Sequence, residues 1–209
     1  MNVDEFWKLI VLQRKVGVFT KEKQTMLAAF YSQPCAVIID TTREAADGDA
    51  SKQADLLVEI LAKRPVDEIF AYERIMDDML DKAYDASLWD AADIIGCGCS
   101  DDGFWDFRGW LVAQGQEVYE NALSDPESLL DLIDVDEDGK DGYILSFILS
   151  VVYHAYEQKM GQMPPLTPER MRNPPALKGE HWNEENRPSR FPKLAAKFGD
   201  CEQRWRKWM

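Results

Sequence analysis

Helical periodicity is the sequence feature that most constrains the fold of this chain. Apolar residues recur with a period of about 3.6 in at least five segments, whereas the alternation typical of β-strands appears only briefly, near Val37. The 209 residues, of which 45% are hydrophobic, suffice to bury one substantial core. The sequence therefore predicts a mainly α-helical fold: a compact single-domain helical bundle with a proline-rich C-terminal segment after Gly161.

Cap and breaker residues divide this pattern into predicted elements. Helices are predicted over Asp4–Lys15, from Ser51 as cap to Pro65, from Pro65 to Ile95 as one helix or a broken pair, after a Ser100-Asp101-Asp102 cap, over Leu129–Ile133, over Tyr143–Lys159 and over Lys193–Trp208. Residues 34–50 change character, because the β-branched run Val37–Ile39 precedes a loop-like stretch. We expect a helical domain over residues 1–195 and a basic, Trp-containing tail over residues 196–209.

Charge and cysteine content narrow the function classes. The net charge is −14, with 13 basic against 31 acidic residues in positions 1–154 and 11 against 7 in positions 155–209. Such an acidic chain repels phosphate groups, so neither a nucleic-acid nor a membrane partner is expected. The sequence has no secretory signal and no apolar run of about 18 residues, and its four cysteines fit reduced thiols. These features predict a cytoplasmic protein.

Several stretches carry a resemblance to a known family. They are Ala83–Ala92, Gly98–Phe104 and Phe107–Leu111, with shorter similarities at Glu5–Ile10, Gln114–Tyr119 and Tyr156–Gly161. In these stretches the sequence resembles the bacterial domain of unknown function 4240 family, over most of residues 2–195. The resemblance implies a compact, mostly helical bacterial domain, and it implies no activity, cofactor or catalytic residue.

One cluster combines several chemically active side chains within nine residues. It consists of Ser100, Asp101, Asp102, Asp106 and Arg108. In a functional interpretation the carboxylates bind a hard cation or act as acid and base, while Arg108 steers an anionic group. In a structural interpretation Ser100 caps a helix, the first-turn acids complement its dipole, and Arg108 pairs with a carboxylate. The structural roles are common in any helical domain, so the sequence favours them.

A second acidic feature is a ladder with one carboxylate every four residues. Its members are Glu73, Asp77, Asp81 and Asp85. Like charges at this spacing destabilise an isolated helix by a few tenths of a kcal/mol per pair. A basic partner protein, the basic C-terminal segment of the same chain, or plain solvation could offset that repulsion. The ladder is therefore a candidate face for a basic partner.

Two further patterns suggest metal binding, and neither is complete. Cys97 and Cys99 supply two ligands where zinc needs four. The acids Asp134, Asp136 and Asp138 match the start of a calcium loop, but Leu145 replaces the bidentate acid at its end. We therefore predict no metal and no cofactor, and at most weak cation binding at the aspartate loop.

The sequence leaves two functions from different classes open. The first is a non-enzymatic interaction protein, of the inhibitor or immunity type, that binds a basic protein partner. The alternative is an enzyme or metal-dependent hydrolase that uses the Ser100-Asp101-Asp102/Arg108 cluster. An enzyme needs those polar groups to converge in a pocket, whereas a binding protein needs an exposed acidic face.

Overall fold

A computed structural model describes residues 35–133, 147–171, 173, 175–180 and 185–201 of the chain. Throughout these ranges the chain forms helices and turns without a β-strand, apart from an isolated bridge between Asp85 and Lys178. The α-helices are α1 (Cys35–Ala46), α2 (Ala50–Ala62), α3 (Val66–Lys82), α4 (Ala86–Gly96), α5 (Asp101–Ala113), α6 (Gln116–Ser124), α7 (Val151–Met160), α8 (Arg187–Arg190) and α9 (Pro192–Phe198). Short 3₁₀ helices cover Pro126–Asp131, Phe147–Ser150 and Pro168–Met171. The predicted mainly helical fold is confirmed.

Several predictions lie outside the described residues. They are the helix over Asp4–Lys15, the calcium-type loop that begins at Asp134, the first four residues of the helix over Tyr143–Lys159, and the part of the last helix beyond Cys201. The boundary between a domain over residues 1–195 and a tail over residues 196–209 stays a prediction. In the ranges given above, no helix is long and apolar enough to cross a membrane.

The chain divides into two compact units. Among the described residues, unit one takes in residues 35–77, 113–116 and 147–171, and unit two takes in residues 78–112, 117–133 and those from 173 to 201. In unit one, α2 packs against α1 and α7. The Gln53 side chain of α2 is buried there and donates to the carbonyl oxygens of Ile39 and Ala113, at 3.2 and 3.1 Å. A buried amide needs such acceptors, so Gln53 fixes α1 and residue 113 to α2.

Helix α1 corrects the interpretation of residues 34–50 as a break in the helical pattern. Ile38, Ile39, Thr42 and Ala46 are buried, at the spacing of one helical face. The hydroxyl of Thr42 donates to the carbonyl of Ile38 at 2.6 Å, so this β-branched residue is accommodated within the helix. Tertiary burial overrides β-propensity here.

The loop after α1 was predicted correctly, but the residue that caps α2 was not. Gly48 has a φ of +78° in the turn that follows α1. Asp49, rather than Ser51, is the N-cap of α2, and its carboxylate accepts from the Lys52 amide at 3.0 Å. This hydrogen bond lowers the pKa of Asp49.

The predicted helix from Pro65 to Ile95 is a broken pair, α3 and α4. Asp85 is the N-cap of α4 and accepts from the amide of Ser87 at 2.8 Å. At the same break, the Lys178 main chain bonds to Tyr84 and Ala86, at 3.1 and 2.9 Å. The Lys178 ammonium donates to the carbonyls of residues 81 and 82 at the C-terminal end of α3. A cation complements the negative end of a helix dipole there.

Unit two contains a covalent link that the sequence analysis missed. Cys97 and Cys201 form a disulfide with a Cα–Cα distance of 5.5 Å, which corrects the expectation that all cysteines are reduced. Helix α9 packs against α4, the helix that Cys97 ends, and this contact brings the two cysteines together. Their separation of 104 residues in the sequence hides the pairing.

The predicted last helix is interrupted at Gly199 and Asp200, and Cys201 is helical again. Helix α9 ends at Phe198, and its buried residues Leu194 and Phe198 pack into unit two. The Lys197 ammonium donates to the carbonyls of Leu130 and Ile133, both at 2.8 Å. Part of the proline-rich segment lies outside the described ranges, and the part within them forms only short helices.

Candidate functional site

The start of α5 presents two carboxylates to solvent. Helix α5 begins at Asp101, and both Asp101 and Asp102 are exposed in its first turn. The hydroxyl of Ser100 accepts from the amide of Gly103 at 3.1 Å, as the predicted cap requires. Carboxylates in a first turn interact favourably with the positive end of the helix dipole.

One turn further along, the same face of α5 carries an aromatic and a third acid. Trp105 is 42% exposed, and Asp106 is partly buried. Burial raises the pKa of Asp106, and the charge of Asp102 one turn earlier raises it further. Because positions four apart are neighbours on a helix, these side chains share one surface. We call Asp101, Asp102, Trp105 and Asp106 the α5 acidic face.

Arg108 is buried, with only 5% of the residue exposed, and its Cζ atom lies 5.1 Å from the ring centre of Trp105 on that face. Its guanidinium donates to the carbonyl of Leu80 at 2.8 Å and lies 4.7 Å from the ring centre of Tyr84. Burial lowers the pKa of Arg108, and the nearby Tyr84 and Asp81 oppose this effect. Its hydrogen bonds to described residues end on carbonyl oxygens rather than on the carboxylate expected from the sequence.

The predicted cluster is thus divided between a surface and a core. The acids on the α5 acidic face can attract a cation or a basic side chain from solvent. Arg108 is held by main-chain oxygens and aromatic rings, and in that position it stabilises the packing of α5. The part of the chain that the structure describes contains no group of three or more His, Cys, Asp or Glu side chains that could hold a metal ion.

The acidic ladder is engaged at its first member by an arginine that the sequence analysis did not single out. Both carboxylate oxygens of Glu73 accept from Nε of Arg170 at 2.9 Å. The side chains of Glu73 and Arg170 are only 16% and 8% exposed. These hydrogen bonds raise the pKa of Arg170, and the charge of Asp77 contributes to the same effect. Arg170 also stacks over Tyr153, with 5.0 Å between its Cζ atom and the ring centre.

The other members of the ladder also lie among internal partners. Asp81 acts electrostatically on the buried guanidinium of Arg108. Asp85 is the N-cap of α4. All four ladder residues are of intermediate burial. The ladder is therefore built largely into the contacts of its own chain, whereas the first two acids of α5 are exposed.

Asp40 is a titratable group that the sequence analysis missed. It lies in α1 and accepts from the amide of Gln116 at 3.3 Å. Burial raises the pKa of Asp40 to about 6, and the negative charge of Glu44 raises it as well. The hydrogen bond from Gln116 and the positive charge of Arg43 lower the pKa and so offset part of this effect. Gly115 has a φ of +90°, and a Cβ atom there would lie 2.0 Å from Oδ1 of Asp40, so only glycine fits. No local sequence signal marks this contact, because its partners are 76 residues apart.

Cys99 is the free cysteine beside the disulfide, and its thiol is not activated. Burial raises the pKa of Cys99 to about 12, and the charge of Asp93 acts in the same direction. The Cys99 amide donates to the carboxylate of Asp93 at 3.0 Å, and its carbonyl accepts from Trp89 Nε1 at 2.9 Å. Because the thiolate is the reactive form, this environment disfavours nucleophilic or redox chemistry at Cys99.

Comparison with known proteins places the chain in a family. No curated protein and no solved structure matches it. A family model described as a protein of unknown function (DUF4240) matches residues 37–158. The match contains α2 to α6 and all of α1 except its first two residues, and it includes the α5 acidic face and the ladder. Glu5–Ile10 lies outside it. Since the match covers more than half of the sequence, the chain belongs to the DUF4240 family.

Proposed function

We propose that this chain is a non-enzymatic interaction protein, of the inhibitor or immunity type, that binds a basic protein partner. One observation supports this most: the α5 acidic face carries three carboxylates around an exposed tryptophan. None of these carboxylates forms an ion pair with a described residue. Charged groups at an interface speed association and select the partner, while an aromatic anchor contributes affinity.

The ladder has less support as the partner face. Glu73 is paired with Arg170, and Asp85 caps α4, so neither carboxylate is available without breaking an internal contact. Asp77 and Asp81 remain candidates as secondary contacts for the same partner. At physiological ionic strength a charge still attracts an opposite charge within about 8 Å, and a partly buried charge is screened less than an exposed one. These two carboxylates can therefore attract a basic partner although their side chains are half-buried.

The enzyme alternative has less support than the binding function. It needs Arg108 to steer an anionic group towards Asp101, Asp102 and Ser100. The guanidinium of Arg108 instead donates to a carbonyl oxygen in the interior of unit two. The Ser100 hydroxyl is engaged in the helix cap. A catalytic site needs its groups within hydrogen-bond reach of one reacting atom.

Affinity capture from cells that naturally contain the chain, with two matched baits, tests the proposed function. The first bait carries Asp101→Asn, Asp102→Asn and Asp106→Asn. The control bait removes the same number of charges at exposed positions elsewhere, by Asp55→Asn, Asp131→Asn and Glu180→Gln. A basic protein retained by the native chain and the control bait but lost from the first bait supports the proposal.

The partner identified in this way then allows a quantitative test. Surface plasmon resonance should give an on-rate for the native chain that falls steeply with salt, as for charge-steered association. The Asp101/Asp102/Asp106 variant should associate more slowly and with a shallower salt dependence. Equal on-rates for the native chain and this variant would show that the α5 acidic face is not the partner-binding surface.

The proposal includes a cytoplasmic location and no nucleic-acid partner, as the sequence predicts. Cytosolic glutathione and thioredoxin keep thiols reduced, whereas the Cys97–Cys201 bond persists in an oxidising environment. The redox state of this pair in cells is therefore a check on the location. Alkylation of free thiols at lysis, followed by mass spectrometry, reads that state.

A further inference from the structure

Exposed large hydrophobic side chains are concentrated in one stretch of unit one. Among the described residues, six of the seven such side chains lie within residues 147–171, and the seventh is Trp105. Leu166 is the most exposed, at 75%, followed by Met171 at 67% and Met163 at 58%. Single exposed apolar side chains are common on folded proteins, whereas a contiguous group of them marks an interaction surface.

Five of these side chains border one surface, because the chain turns back along α7. Helix α7 ends at Met160, and Gly161 has a φ of +70° in the turn that follows. The chain then returns until Arg170 stacks over Tyr153, which lies about 10 Å before Met160 along the helix. Residues seven apart share one side of a helix, so Tyr153 and Met160 do so. We call Tyr153, Met160, Met163, Leu166 and Met171 the α7 apolar face.

Internal contacts hold the returning segment in place. The guanidinium of Arg170 donates to the carbonyl of Pro165 at 2.7 Å and to the carboxylate of Glu73 at 2.9 Å. Pro164 is buried, whereas Pro165 and Leu166 are exposed. The backbone is thus fixed while its apolar side chains project into solvent. A surface that is already ordered loses little conformational entropy when it is covered.

The local charge favours a second copy of the chain over a basic partner on this face. The whole chain carries a net charge of −14, whereas residues 147–171 contain two acidic and two basic residues. Two copies repel each other where acidic surfaces meet, and they repel least through a stretch without net charge. A basic protein gains no electrostatic attraction there. Interfaces between identical chains are also the more apolar class, and their cores are enriched in methionine and aromatic residues.

The area of the face is sufficient for a dimer. At about 200 Å² for a fully exposed large side chain, its five residues present roughly 550 Å² to solvent. In a two-fold symmetric dimer both copies use the same face, so about 1,100 Å² is removed from water before any neighbouring polar surface is counted. A specific interface needs about 1,000 Å².

We propose that the chain forms a two-fold symmetric homodimer in which the α7 apolar face of one copy packs against the same face of the other. Since the area is at the lower end of specific interfaces, the dimer is reversible, with a Kd on the order of 10 µM. The dimer does not depend on the basic partner proposed above.

Sedimentation velocity on the full chain, between about 1 and 200 µM, tests the dimer. The native chain should pass from monomer to dimer over this range. Leu166→Glu should raise the dimer Kd at least about tenfold, because dimerisation would bury an unpaired charge. Ser51→Glu adds the same charge at an exposed position of α2 and should leave the Kd within about twofold. Thermal melts check that both variants are folded. A native chain that stays monomeric throughout would overturn the proposal.

A second variant at the same position tests the symmetry. Leu166→Lys should also dissociate on its own, whereas an equimolar mixture with Leu166→Glu should associate at least about tenfold more tightly than either variant, because opposite charges then meet across the interface. No gain on mixing would show that the two faces do not meet.

The salt dependence separates this dimer from partner binding at α5. Raising the salt concentration should tighten the native dimer, since screening reduces the repulsion between two acidic chains. Binding of a basic partner should instead weaken, so failure of the dimer and failure of the proposed function are distinguishable. A native dimer that dissociates as salt is added would have a charged interface and would contradict the proposal.

Methionine oxidation locates the interface. Hydrogen peroxide transfers an oxygen atom to an accessible thioether and leaves water, so the rate reports exposure. Met160, Met163 and Met171 should oxidise at least about threefold more slowly in the dimer than in the monomer. The buried Met76 and Met79 of α3 should react slowly in both states and report that the fold is intact. A dimer in which the three exposed methionines stay accessible would use another surface, and the proposal would be wrong.

Discussion

The ladder of α3 and the acidic face of α5 look alike in the sequence and differ in the folded chain. Both place carboxylates at helical spacing on a predicted helix. Glu73 of the ladder is bound by Arg170, a residue 97 positions away, whereas Asp101 and Asp102 face solvent. An acidic run becomes part of the interior when basic side chains from distant parts of the chain pair with it. Without such side chains it stays a solvated face.

The difference in burial between the two acidic regions also separates residues that stabilise the fold from residues that a partner could contact. The Glu73–Arg170 pair is largely withdrawn from water, and loss of one member of a buried pair destabilises a protein by about 3–5 kcal/mol. An exposed surface carboxylate contributes about 0–1 kcal/mol to stability and is available to a partner. The ladder therefore contributes chiefly to the fold, and the α5 acidic face is the surface for which we propose binding.

The largest expected effect concerns the Cys97–Cys201 disulfide. Cys201→Ser should destabilise unit two by about 4 kcal/mol, because a cross-link across 104 residues restricts the unfolded chain strongly. Urea unfolding monitored by circular dichroism, compared with the native chain under oxidising conditions, measures this loss. Cys99→Ser is the matched control and should change stability far less. A native-like midpoint for Cys201→Ser would show that the bond adds nothing to the fold.

The next largest effect is expected at the buried end of the ladder. Arg170→Met should destabilise the chain by about 3 kcal/mol, because it leaves the Glu73 carboxylate without its cation in a site that is mostly closed to water. Arg74→Met removes a cation from an exposed position of α3 and should change stability by less than about 0.5 kcal/mol. Thermal and urea unfolding provide both values.

A second substitution separates the ion pair from the packing of Arg170. Adding Glu73→Gln to Arg170→Met should recover part of the loss, since the uncompensated charge is then gone. A double variant as unstable as the sum of the single changes would indicate that Arg170 acts through its stacking on Tyr153 instead. The ladder would then be less dependent on internal cations than we infer.

These two regions also show how far the sequence could be read. The helical period predicted α2, α3, α4 and α5, because their buried stripes are local patterns. It also predicted the Ser100 cap, which is formed within four residues. The Glu73–Arg170 pair, the Asp40–Gln116 contact and the Cys97–Cys201 bond join distant residues, and no local signal marks such contacts. For the candidate site, the sequence grouped the α5 acids with Arg108, and it could not show that Arg108 is buried against Leu80 and Tyr84, which are distant in the sequence.

Asp40 supplies an intermediate effect with a distinctive pH dependence. Burial raises the pKa of Asp40 from its usual value of 3.8 to about 6, so the folded chain holds the proton more tightly. Its favourable contribution is present below about pH 4 and is lost as the pH rises through about 6. Asp40→Asn should therefore stabilise the chain at pH 7.5, by about 1–2 kcal/mol after allowance for solvent screening.

The measurement is a series of urea midpoints for the native chain and Asp40→Asn between pH 4 and pH 8. The difference between them should grow across this window and level off above about pH 7. Asp55→Asn neutralises an exposed carboxylate of α2 and should show no such trend. A difference that is independent of pH would mean that Asp40 is not the group that titrates.

The smallest expected effects compare charge neutralisation in the two acidic regions directly. The spacing alone predicts that Asp77→Asn with Asp81→Asn folds at least as stably as the parent, because like charges within α3 are relieved. The structure reverses that expectation, since Asp77 acts on Arg170 and Asp81 acts on Arg108. We expect a loss of about 0.5–1 kcal/mol.

Neutralising the first turn of α5 should have a different signature. Asp101→Asn with Asp102→Asn removes two favourable interactions with the helix dipole, so a loss of about 0.5–1 kcal/mol is expected there too. The two double variants are thus matched in charge and nearly matched in stability, and they differ in what each surface offers to a partner.

The α5 variant should slow association with the captured basic partner several-fold, while the ladder variant should slow it less. Surface plasmon resonance at two salt concentrations, with thermal melts as the folding control, separates the two regions. If the ladder variant associates more slowly than the α5 variant, the partner is recognised by α3. The ladder carboxylates would then attract a partner in spite of their internal contacts with Arg170 and Arg108.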